Sequence, residues 1–93
     1  MADPIWRAAP PEALRIEPLG ELTAIFDRRS MQTHLVTQPM PEILAVMAGD
    51  ACNAAEVAAR LAAVFDIEGQ ADTRALVVER LGELAAMGLV AAA

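Results

Sequence analysis

One histidine, His34, and one cysteine, Cys52, are the only side chains of their kinds in 93 residues. Acyl transfer or hydrolysis needs a nucleophile, a base and an orienting group gathered in one cleft. His34 sits instead in the strand-like run SMQTHLVT, residues 30–37, beside Arg28 and Arg29. Three readings of it stand in decreasing order: a structural or surface residue, a contact in a binding groove, and a catalyst. Cys52 falls in a loop before a helix, whose N-terminus could lower its pKa, although a small loop residue is the plainer reading. One cysteine and one histidine make neither a disulfide framework nor a four-ligand zinc site. Gly20, Gly49, Gly69, Gly82 and Gly88 are isolated and match neither nucleotide fingerprint. The chain is expected to be no enzyme, with no cofactor and no metal.

Charge narrows the partners. Seven basic residues, all arginine, stand against 13 acidic ones, for a net charge of −6. Nucleic-acid binding leans on basic side chains that displace phosphate counterions, so no nucleic-acid partner is expected. No run approaches the ~20 apolar residues of a membrane span. The start, MADPIWRAAPPE, lacks the basic head and apolar centre of a secretory signal, and the single cysteine fits a reducing compartment. A cytoplasmic protein without a membrane partner is the expectation.

The elements that must position these residues follow from periodicity. Prolines at 4, 10 and 11 make residues 1–12 an extended arm, with Trp6 as an apolar anchor. Residues 13–90 are read as one domain and 91–93 as an alanine tail. Ala13–Glu17, Leu22–Asp27 and Met31–Val36 alternate as strands, and the turns between them give a three-stranded antiparallel meander. The period then becomes helical. Met40, Ile43, Leu44 and Met47 mark a first helix over about 39–48. Asn53 and Glu56 form a capping box for a second helix, running to about Phe65 with Val57, Leu61, Val64 and Phe65 on its inner face. Asp72 caps a third helix, in which Val77, Leu81 and Leu84 are buried, and Gly88 ends it in the left-handed conformation. Gly82 costs that helix on the order of 1 kcal/mol, which close approach of another backbone or tolerated drift would explain equally. The class is α+β, winged helix-turn-helix-like, with a three-stranded antiparallel sheet followed by three helices.

The outer strands of a meander present unpaired N–H and C=O groups. SMQTHLVT has no proline, lysine or acidic residue to blunt such an edge. Addition of a peptide strand is a recurring use of such edges. Gln32, Thr33, His34, Leu35 and Val36 are therefore the candidate peptide contacts. The facing wall is assigned to Arg74, Val78 and Leu81 of the last helix, with Leu76, Arg80 and Met87 as the alternative flank. The same edge predicts some homodimer at high concentration.

Together, Trp6-Arg7, DRRSMQTHLV, PEILAVMAGD, AAEVAARLAAVFD and VVERLGELAAMGLV resemble the PqqD family, and within it the HPr-rel-A system PqqD family peptide chaperones. The strand turn of that branch reads approximately as Asn or Asp, two variable residues, Ser, Gly, Asp and Thr-His-Leu-Leu. Asp27, Ser30, Thr33, His34 and Leu35 match it, while Met31 and Gln32 replace the Gly-Asp. The resemblance implies a winged-helix-like fold and a recognition element for the leader of a ribosomally made precursor peptide. The groove between the third strand and the last helix would hold that leader and present it to a modifying enzyme, radical S-adenosylmethionine or kinase-related. Two rivals stand beside it: a DNA-binding winged helix, and a structural dimerisation module.

Overall fold

The alternating segments form strands in a computed structural model that describes residues 4–65 and 73–93. Strands β2 (Leu14–Leu19), β3 (Leu22–Asp27) and β4 (Gln32–Val36) make an antiparallel meander in the order β2-β3-β4. The register pairs Ile16 with Ile25 and Ile25 with His34. Because side chains alternate across a strand, Ile25, Asp27, His34 and Val36 share the inner face, and Arg15, Glu17, Ala24, Phe26, Thr33 and Leu35 the outer one. Burial of Ile25, Asp27 and Val36 identifies the inner face as the one turned to the core.

A second antiparallel sheet gathers three short strands from distant parts of the chain. Strand β1 (Ile5–Ala8) lies at its centre between β5 (Ala51–Asn53) and β6 (Val90–Ala92). Of the expected N-terminal arm, Ile5–Ala8 is extended and built into this sheet, whereas Pro11–Ala13 form a short 3-10 helix. Trp6 pairs with Cys52 on one side and with Ala92 on the other, and packs against the core. The alanine-rich end is likewise a strand where it follows Val90. Cys52 is thus a buried strand residue and not the loop residue read from sequence.

Three helices complete the α+β architecture. Helix α1 (Met40–Met47) buries Met40, Ile43, Leu44 and Met47, with Pro41 in its first turn, where backbone N–H groups have no helical partner. It ends at Ala48 and Gly49, both left-handed, at φ 48° and 83°. Helix α2 (Ala54–Val64) opens with the expected capping box: Asn53 Oδ1 accepts from the Glu56 N–H at 2.8 Å, and Glu56 Oε1 accepts from the Asn53 N–H at 2.9 Å. Val57 and Leu61 are buried, but Val64 is 68% exposed, so the inner face is narrower than the sequence suggested.

Helix α3 (Thr73–Ala86) buries Val77, Leu81 and Leu84; the expected Asp72 cap lies outside the described residues. At its end the Leu89 N–H bonds the Leu84 carbonyl at 3.0 Å and the Gly88 N–H bonds that of Ala85 at 3.0 Å, with Gly88 at φ 78°. This is a Schellman closure, and it sends Leu89 and Val90 back into the core. Among the described residues, a Cβ added to Gly82 would meet no atom of a neighbouring element within 4 Å, so close backbone approach from them does not account for that glycine. No helix among the described residues is long and apolar enough to cross a membrane.

Candidate functional site

The two edges of the meander differ in chemistry. Edge strand β2 carries Pro18, which has no N–H to offer, and an Arg15–Glu17 ion pair at 3.6 Å. Both features discourage another strand from pairing there. Edge strand β4 reads QTHLV, without proline or charge, and its strand partner is β3. Of its side chains, Val36 is buried and Leu35 is 60% exposed on the outer face. Gln32 and Thr33 are exposed, and His34 is half-buried. The backbone of Gln32–Val36 thus runs as one continuous strand, and these five predicted contacts lie together.

His34 sits opposite Ile25, and its Nε2 is shielded from solvent with no hydrogen-bond partner among the described residues. Among the described residues no group of three or more His, Cys, Asp or Glu could hold a metal ion.

Backbone and side chain together fix the approach to β4. The Met31 N–H bonds the Asp27 carbonyl at 2.7 Å, and Asp27 itself is 3% exposed. Its Oδ1 accepts from the Arg29 N–H at 2.9 Å and from Arg29 Nε at 3.0 Å, and its Oδ2 accepts from Arg29 Nη2 at 2.9 Å. That Nη2 also donates to the Gly88 carbonyl at 3.0 Å. One guanidinium therefore ties the turn before β4 to the end of α3. The Arg29 side-chain hydrogen bonds outweigh burial and hold the Asp27 carboxyl below the usual carboxylate range. The signal was present in sequence as Asp-Arg-Arg, but burial of the aspartate was not readable from it.

Met31, the last turn residue, has φ 61° and is 72% exposed. Where glycine was expected by resemblance, a methionine adopts the left-handed conformation that glycine reaches at no steric cost.

The helical half of the predicted site divides. Arg74 and Val78 are exposed, Val78 at 55%, as is Leu76 on the alternative flank. Leu81 is 0% exposed and belongs to the core, so it cannot serve as a groove contact. Its spacing of four from Val77 sets it on the buried stripe. Arg80 is engaged by Glu79 at 3.8 Å and by Glu83. Helix α3 packs on α2, β6 and α1.

At Cys52, burial pushes the thiol up, opposite to the lowering that a helix N-terminus could give. Compared with known protein families, curated proteins and solved structures, the chain matches none.

Proposed function

We propose that the chain is a non-enzymatic peptide chaperone that binds an extended segment of a precursor peptide by strand addition to β4. The resemblance to the PqqD family supplies the context: a ribosomally made precursor, presented to a radical S-adenosylmethionine or kinase-related modifying enzyme. The observation that carries the reading is the contrast between edges, with proline and an ion pair on β2 and neither on β4. Backbone groups of β4 would supply affinity, and Leu35, Thr33 and the exposed Val78 would select side chains. The net charge of −6 favours this reading over a DNA-binding winged helix.

Blunting one edge at a time tests it. A peptide recovered from a random displayed library on the immobilised protein serves as probe, read by fluorescence anisotropy. Leu35→Lys places a charge on β4 and is expected to weaken binding ~10-fold or more, about 1.4 kcal/mol. Arg15→Ala, on the β2 edge, is expected to leave it unchanged. Loss of binding on Arg15→Ala with retention on Leu35→Lys would sink the proposal.

A further inference from the structure

Met31 joins a left-handed backbone to an exposed apolar side chain. Its backbone sits at φ 61°, where a Cβ is sterically costly, and its side chain is 72% exposed. A glycine would relieve the backbone, and so little of the methionine is buried that packing does not repay its cost. Leu35, on the outer face of the adjoining strand, is 60% exposed. Between them runs the uncharged edge of β4.

Resting on the reading of β4 as a peptide-pairing edge, we infer that Met31 is a specificity contact. It receives an apolar side chain of the added strand where that strand runs past Gln32 toward the turn. A residue directly across an added strand lies near enough for side chains to touch, and successive same-face residues are two positions apart. A ligand that meets both Leu35 and Met31 is therefore a peptide extended along β4, with one apolar residue across from Leu35 and another where it passes the left-handed turn. Methionine suits the role because its flexible, polarisable side chain adapts to apolar partners of different shape.

The experiment measures binding and stability on the same variants, with the library-recovered peptide as probe and the wild-type full chain as reference. Met31→Gly is expected to hold or raise the midpoint of thermal unfolding while weakening binding ~10-fold. Met31→Asn tolerates the left-handed backbone without the apolar side chain and should lose affinity likewise, so greater chain freedom is not the cause. Met31→Leu should retain affinity within ~3-fold. Unchanged affinity in Met31→Gly and Met31→Asn would overturn the assignment while leaving β4 as the pairing edge. A fall in unfolding temperature alongside the loss would make Met31 a structural residue and overturn it equally. If the wild-type chain binds the probe away from β4, both this inference and the reading beneath it fail.

Discussion

Arg29 grips the buried carboxylate of Asp27 through Nε and Nη2, at 3.0 and 2.9 Å, and the same Nη2 reaches the Gly88 carbonyl at 3.0 Å. The turn that leads into β4 is thereby fastened to the end of α3, far along the sequence. Asp27→Ala leaves this arginine without its partner and should cost about 1–3 kcal/mol, read from denaturant unfolding. The Arg29 side chain is 47% exposed, so solvent screening favours the lower end. A variant that unfolds at the wild-type denaturant concentration would show that the contact contributes nothing.

The same contact predicts a dependence on pH. Asp27 has its folded pKa lowered, chiefly by the Arg29 side-chain hydrogen bonds. Its contribution is present above the unfolded carboxylate pKa and is lost as the pH falls through the lowered folded value. The wild-type chain should therefore lose more stability on acidification below about pH 4 than Asp27→Asn does. Parallel acid titrations of the two unfolding midpoints would contradict this.

Much of the fold was legible because its longer elements declare a period. β3 alternates over six residues, α1 and α2 carry apolar stripes, and Asn53 and Glu56 cap as their spacing requires. The second sheet was not, since β5 and β6 are three residues each and β1 is four, too short to show alternation. Their pairing joins residues tens of positions apart, which no local pattern encodes. At the candidate site, the uncharged β4 edge was readable from its composition. Leu81 reads from sequence both as part of the buried stripe of α3 and as a groove contact; its spacing of four from Val77 supports the first, and its complete burial excludes the second.

Trp6 now has a larger structural context than an anchor on an arm. Trp6→Ala should cost about 1.5–3 kcal/mol from lost apolar burial. Deleting residues 1–11 removes the strand that joins β5 to β6, along with buried Ala8 and Ala9. The truncated chain should melt well below Trp6→Ala in a calorimetric scan. Equal melting temperatures would mean that β1 adds nothing beyond its tryptophan.

Neighbouring positions of α3 should separate stability from binding. Leu81→Ala opens a void in the core and is expected to cost about 2–5 kcal/mol. Val78→Asp, on the exposed flank, should change stability by no more than about 0.5 kcal/mol while weakening the library-recovered peptide. Unfolding titrations and anisotropy on both variants check this, and undiminished binding by Val78→Asp would remove that flank of α3 from the site.

Cys52 offers a chemical check on the second sheet. A buried thiol raised by desolvation should react with a maleimide in denaturant and scarcely at all in the folded chain, followed by mass spectrometry. Rapid labelling of the folded protein would mean that β5 opens readily away from β1.

Strand addition to β4 is tested most directly by nuclear Overhauser effects between the labelled chain and the bound library-recovered peptide. A peptide strand paired on β4 should give a ladder of backbone contacts to Gln32–Val36, spaced as across adjacent strands and accompanied by slowed amide exchange there. Contacts confined to β2 or to the faces of α1 and α2, with β4 silent, would contradict the central claim.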